Sequence, residues 1–320
     1  MSKLHLGVVE DINDPEQLGR VRVRVYGVHP VNNQQLITEH LPWAPIMMQA
    51  TSSSVSGLGQ SPTGIETGST VTVMFFDDDM QMPCVIGTFS GFPSKVSDPN
   101  TGFSDPHSLL PRWLHESDVN RSARGKDHDQ LDSRLNVELG VVKADGSTWD
   151  EPSTAWAPEY PKNKVFESVS GHMIEIDDTV SAERILVQHT SGSFVELHPN
   201  GDIILKSKGS TYEIIANDKN ISVGGDCNIT CGGNLNVSST GPAVVKAATV
   251  VIDTAAIELG KGATEPLILG NTFKTFYNAF VTLFNAHVHP TPFGPTLVPT
   301  APATKMSASQ LSQDSRNKTL

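Results

Sequence analysis

The residues best equipped for chemistry are few. His287-Val-His289 is the one metal-like constellation. Alternate residues of an extended strand face the same way, so both imidazoles can address one ion. Two donors are too few for a closed site. Three chains on a threefold axis would bring six nitrogens together, which suits an octahedral ion better than zinc, with its preference for four ligands. The competing reading is a polar turn before Pro290. Retaining glycoside hydrolysis needs two carboxyl groups about 5 Å apart, one of them in an apolar setting. Glu116, Asp118, Asp127, Asp129, Asp132, Glu138 and Asp145 all stand in polar sequence and read as a solvated charged loop. Asp177 and Asp178 are adjacent, so they point to opposite faces if their segment is a strand. Cys84, Cys227 and Cys231 are too few, and odd in number, for a disulfide framework. No Ser-His-Asp order, phosphate loop or Cys-x-x-Cys motif is present. The expectation is a chain without catalytic residues or an organic cofactor.

The elements that must position these groups are mostly strands. The chain has 320 residues, 38% apolar and 6% aromatic, with 26 Gly and 21 Pro. That balance points to an all-β chain with many turns, part of it fibrous. The formal charge of −12 repels nucleic-acid phosphates and argues against nucleic acid as a partner. The first residues, Met1-Ser-Lys-Leu-His-Leu-Gly, lack the apolar run of a signal peptide.

Residues 1–93 read as a compact β domain. Leu4–Asp11, Arg20–Tyr26, Ala44–Gln49, Thr70–Phe76 and Cys84–Phe89 are strand candidates. Val21, Val23 and Val25 alternate with Arg20, Arg22 and Arg24, a period of two with one face buried and one solvated. Five short strands predict a small closed barrel of the OB type, with an open sandwich as the alternative. Residues 94–160 read as an extended linker, and Trp113, Trp149 and Trp156 predict that it packs on something. His172, His189 and His198 read as surface or cross-chain hydrogen-bonding groups.

Residues 161–270 read as a needle. Gly201, Gly209, Asn217, Gly225, Gly233 and Gly241 recur at a period of eight. Gly, with Asn as its stand-in, marks turns where φ is positive. Ile221, Ile229, Val237 and Val245 keep step, and Cys231 takes the place of Val223 and Ile215 as an interior residue. One octad is a strand plus a turn. That is too short for a coil of a single-chain β-helix, but it fits if each of three chains supplies one side of a prism. A Gly-rich meander of one chain is the competing reading. In the last segment, 271–320, Phe273, Phe276, Phe280, Leu283 and His287 are spaced three, four, three, four, a coiled-coil seam on a short helix. A Pro-rich, extended tail follows.

The residues also carry a resemblance. Leu18-Gly-Arg-Val-Arg-Val-Arg-Val-Tyr-Gly, Leu41-Pro-Trp-Ala, Thr63-Gly and Pro83-Cys-Val-Ile-Gly-Thr-Phe-Ser-Gly resemble the OB domain of the central spike proteins of contractile-tailed phages. Tyr160-Pro-Lys-Asn-Lys-Val-Phe-Glu-Ser-Val-Ser-Gly-His-Met-Ile-Glu-Ile-Asp-Asp-Thr is similar to the head of that family's needle. The octads are similar to its intertwined triple-stranded β-helix. Type VI secretion spikes share both parts. The resemblance implies a homotrimer in the virion tail baseplate, assembled in the cytoplasm of the bacterial host. Its partners would be a hub protein on the OB domain, a tip-capping protein and the host envelope. It implies one iron ion per trimer at His287 and His289, as in phage spikes with such a pair near the C-terminus. Some relatives carry a lysozyme domain between barrel and needle, for which residues 94–160 are too short. The expected function is mechanical puncture of the envelope. An effector-carrying secretion spike and a spike-borne hydrolase are the alternatives.

Overall fold

The structure, a computed structural model, describes residues 3–96, 98, 111–126, 131–255 and 270–307. Asp127, Asp129, the end of the fraying repeat and the last ten residues of the tail lie outside them. The chain divides into two compact units, 1–235 and 236–320. The described residues are mostly strand and irregular, with one long helix near the C-terminus, so the fold class is all-β.

The first unit begins with strands β1 (His5–Asp11), β2 (Val21–Val25), β3 (Trp43–Ala44), β4 (Thr70–Phe75) and β5 (Pro83–Phe89), in the order β3-β2-β1-β4-β5. Neighbouring strands are antiparallel throughout. The sheet closes on itself just after β3. The Val85 N–H donates to Pro45 O at 2.9 Å, and the Met47 N–H to Val85 O at 2.8 Å. This parallel bridge between Ile46 and Val85 joins the two edges of the sheet into a small barrel. Inside stand Val9, Val21, Val23, Val25, Ala44, Val71, Val73, Phe75 and Val85. Branched side chains suit this interior because their restricted rotamers pack well on a pleated face.

One arginine of the Arg20–Arg24 run departs from the alternation. Arg24 is buried, not solvated. Its guanidinium meets both Glu10 carboxylate oxygens at 2.6 and 3.0 Å and donates to the carbonyls of Pro30 and Leu36. Thr38 Oγ1 donates to the same carboxylate at 2.8 Å. The loop after β2 folds over the barrel wall and supplies acceptors in the fork geometry that only an arginine satisfies. Arg22 lies over the Trp43 ring at 4.5 Å. Arg20 pairs with Asp14, whose carboxyl it holds well below the usual carboxylate range.

The same unit holds a second sheet, all antiparallel. It is built from β8 (Asn163–Glu167), β9 (Met173–Asp177), β10 (Arg184–Gln188), β11 (Phe194–Leu197) and β12 (Ile203–Lys206), in chain order. Between the sheets the linker forms a 3-10 turn at Ser122–Arg124, a single helical turn α1 (Asp132–Leu135), and a small hairpin of β6 (Val141–Val142) and β7 (Thr148–Trp149). Gly125 ends the 3-10 turn at φ 68°, a conformation that favours glycine.

The second unit contains helix α2 (Gly270–Ala286). After it the chain turns at Thr291–Gly294, where each backbone N–H donates to the other's carbonyl, at 3.2 and 3.1 Å. The tail then runs back along α2.

Candidate functional site

The second sheet is inside out by hydropathy. Its buried face carries charge. Glu175, Arg184 and Glu196 are fully buried together with Arg134 from α1. Arg184 binds Glu175 directly and lies 3.5 Å from Asp177 and 3.7 Å from Glu196. The linker covers this face and supplies part of its hydrogen bonding. Ser122 Oγ donates to Glu175, and Thr154 Oγ1 donates to Glu196 at 2.6 Å. Trp156 Nε1 donates to Ser122 Oγ at 3.2 Å, and Gln188 Nε2 to Ser133 Oγ at 2.9 Å. His198 stands 3.2 Å from Glu196. Burial by itself pushes the Glu175 carboxyl up, but the Arg184 and Arg134 charges beside it hold it below its ordinary value. The Arg134 guanidinium moves down, chiefly because it is buried.

The opposite face is apolar and bare. One cross-strand row runs Phe166, Ile174, Val187, Val195, Leu205. The next runs Lys164, Ile176, Ile185, Leu197, Ile203. Phe166, Ile203 and Leu205 are 68–69% exposed, and nothing among the described residues covers them. Single exposed apolar residues are ordinary, but two contiguous rows across five strands are not.

The octads continue this exposure. Every residue from 207 to 255 is exposed, including Ile214, Ile221, Ile229, Leu235 and Val237. Among the described residues, no backbone N–H from Ser210 to Asp253 donates a hydrogen bond. Bends fall at 208–209, 216–217, 224–225, 232–233 and 240–241, in step with the sequence ladder. The backbone there corrects one expectation. Of the ladder positions Gly201, Gly209, Asn217, Gly225, Gly233 and Gly241, only Gly201 is left-handed, at φ 89°. The others bend over two residues without entering that region. A Cβ added at Gly209, Gly225, Gly233 or Gly241 would meet nothing within 4 Å. Neither backbone strain nor crowding within the chain accounts for glycine at these four bends.

The histidine pair lies at the end of α2, where the chain reverses. The rings of His287 and His289 are 5.2 Å apart and perpendicular. His287 Nδ1 bonds the Phe284 carbonyl, which fixes the proton on Nδ1 and leaves the Nε2 lone pair free. His289 is held through its backbone N–H, which donates to Thr296 Oγ1 at 2.9 Å. Among the described residues, no group of three or more His, Cys, Asp or Glu comes together in one chain.

The carboxylates of the linker are dispersed. Glu116 is tied to Arg121 and Arg124 at 2.7 and 2.9 Å, and Asp118 accepts the Gly91 N–H at 2.8 Å. Asp145 caps its own turn through Ser147. Asp177 is buried and Asp178 exposed, on opposite faces of the sheet. Cys84 is buried in the barrel wall, while Cys227 and Cys231 are exposed in the single chain. Sequence reasoning missed the buried charge network. Its one signal was the spacing of Glu175, Asp177, Arg184 and Glu196 at alternate positions of alternating strands.

Comparison with known proteins places these features. Residues 27–159 match the family model of the Gp5 N-terminal OB domain. Protein Gp5 of Vibrio phage KVP40 is 34% identical over 255 residues, which is 68% of this chain and 61% of that protein. The pre-baseplate central spike protein Gp5 of Enterobacteria phage T4 is 42% identical over 114 residues, 34% of this chain and 20% of that protein. The chain thus spans about three fifths of the first relative's length and a fifth of the second's. The family-model match includes β3, β4 and β5 of the barrel together with most of the linker, and the chain is similar to the phage Gp5 proteins.

Proposed function

We propose that this chain is one third of a trimeric central spike, mounted in a contractile phage tail baseplate and driven mechanically through the bacterial envelope. The observation that carries this reading is the inverted second sheet. A chain that buries Glu175, Arg184 and Glu196 under its own linker, and leaves Ile185 and Val187 bare, is built to place its apolar face against other chains. Three such faces around an axis would form a dry interior. The octads would follow as an intertwined triple-stranded β-helix, each unpaired N–H finding a carbonyl of a neighbour. Glycine at the bends then has a cause, because the backbone of another chain passes where a Cβ would stand. The name of the T4 relative, a pre-baseplate central spike, supports the same assignment. The OB domain would dock on a hub protein, and a further protein would cap the tip. The virion tail baseplate is the expected location, with assembly in the host cytoplasm. In such a needle no strand opens without breaking pairs on two neighbours, so unfolding has a high barrier and axial force passes without bending. Static light scattering on the purified chain is expected to give three times 34.4 kDa. A monomer at micromolar concentration overturns the reading.

We also propose that the spike has no enzymatic activity of its own. The buried carboxylates stand against arginines that keep Glu175 ionised, the wrong direction for a general acid, which needs a raised pKa.

The histidine pair fits a metal. His287 offers Nε2, and His289 lies beside it at a chain reversal, so the long tail does not bury the pair but folds back from it. Three chains would supply six imidazoles, and iron would tie the chains together at the point of load. Elemental analysis is expected to find about one iron per three chains, lost in His287→Ala and in His289→Ala. Metal-free protein of unchanged thermal stability would leave the pair a polar turn.

A further inference from the structure

The repeat that would make a stiff needle also creates a register problem. Ile221-Ser-Val-Gly-Gly-Asp-Cys-Asn and Ile229-Thr-Cys-Gly-Gly-Asn-Leu-Asn are nearly interchangeable. A chain slipped by one octad keeps each side chain on its proper face, because eight is even, and buries the same kinds of residue. The octads by themselves specify register weakly.

The unit that follows them in sequence has a different period. Helix α2 carries its own tail on one face. Asn278 exchanges two hydrogen bonds with the backbone of Met306, at 3.0 and 2.6 Å. Asn285, one heptad on, does the same with Ala303, both at 2.8 Å. Val281 lies between the two clamps and is 1% exposed. The returning strand therefore occupies this face and cannot also cover the other. There Phe273, Phe276, Phe280 and Leu283 form a bare seam with a spacing of three, four, three. Lys274 is the only charged side chain of the helix. Three parallel copies would meet little repulsion there, in a chain whose net charge is −12.

We propose that α2 with its clamped tail is the registration element of the assembly: three copies join seam to seam and fix the alignment in which the octads then pair. This rests on the trimeric reading above. A chain slipped by one octad carries its helix along the axis by the rise of that octad, so its seam no longer stands level with those of its mates and part of it goes unpaired. The seam therefore favours the one register in which octads and helices match. Joining the chains at one end also converts octad pairing into an intramolecular event, with an effective concentration on the order of millimolar.

The test uses the full-length chain with Phe276→Asp and Phe280→Asp combined. Cys84, Cys227 and Cys231 are replaced by Ala, and Asn228→Cys, which alternates with the interior positions Cys227 and Ile229, carries a spin label that reports the distance between the same octad in different chains. After denaturation, the parent is expected to regain trimer mass with a single spacing at position 228. The double variant is expected to recover trimer on the order of tenfold more slowly or worse at micromolar concentration, with several spacings at position 228. Phe276→Leu with Phe280→Leu, which keeps the seam apolar, is expected to restore both rate and single spacing. If the Asp variant refolds at the parent rate with one spacing, the proposal is overturned while the trimer stands. Slow recovery with one spacing overturns the register role. A monomeric parent overturns the trimeric reading itself, and this proposal with it.

Discussion

Arg184→Met is expected to cost about 3–5 kcal/mol per chain, the usual penalty for removing one partner of a buried ionic group. Arg184 is fully buried and faces Glu175, Asp177 and Glu196. Without it three buried acids share one arginine, Arg134, and His198. The methionine fills most of the volume, so the loss reads the charge and not a cavity. Thermal unfolding followed by tryptophan fluorescence, to which Trp156 beside the network contributes, is expected to shift down by on the order of 10 °C. Arg184→Lys keeps the charge but loses the fork that reaches several carboxylates, and is expected to fall between. A loss below about 1 kcal/mol, the range of exposed pairs, would mean that water reaches the network. The same cluster sets an acid limit. Glu175 has a folded-state pKa below its unfolded value. Its stabilisation is therefore complete above the ordinary carboxylate range and is lost as pH falls through the depressed value.

The barrel was legible in the sequence because its period is plain. Val21, Val23 and Val25 alternate, and the chain buries all three. Arg24 was not legible, because alternation shows which residues share a face but not what a later loop lays over that face. The second sheet repeats the lesson on a larger scale. Met173-Ile174-Glu175-Ile176-Asp177 declares a strand, and β9 is one. Hydropathy would bury the isoleucines, yet the linker buries Glu175 and Asp177 instead. Nothing local in the strand encodes that choice. It depends on Ser122, Arg134 and Thr154, which stand tens of residues earlier and supply the matching donors. Of the three tryptophans that predicted packing, Trp156 joins the buried network through Ser122, while Trp113 and Trp149 are exposed. The octads showed their period, and the bends keep it. The assumed reason for glycine, a positive φ, was drawn from the habits of isolated turns. The histidine pair was visible as a motif. What brings it to an end of its unit, the tail returning along α2, depends on two asparagines that looked like ordinary polar surface.

Ile185→Asp combined with Val187→Asp is expected to abolish the trimer while leaving the chain folded. The two positions lie on adjacent cross-strand rows of the bare sheet face, with Ile185 beside Ile176 and Leu197, and Val187 beside Ile174 and Val195. The two residues are 44% and 52% exposed and make no part of the chain's own core, which lies on the other face around Met173, Leu186 and Phe194. If this face met only water, Asp there would change stability by about 0.5 kcal/mol or less, as surface substitutions usually do. In the trimeric reading each copy brings two carboxylates into a dry interior, six in all. An unpaired buried carboxylate costs several kcal/mol even after the protein relaxes around it. Light scattering should then fall from three chains to one. The thermal transition of the charged inner network should remain visible, because Arg184, Glu175 and Arg134 are untouched. Leu186→Asp serves as the contrast. It places the same charge one residue away on the inner face, where the chain itself supplies the packing, and should unfold the sheet outright. If the outer pair of substitutions leaves the mass at three chains, the apolar face is not where the copies meet, and the needle would have to be held together by the octads and the helix alone.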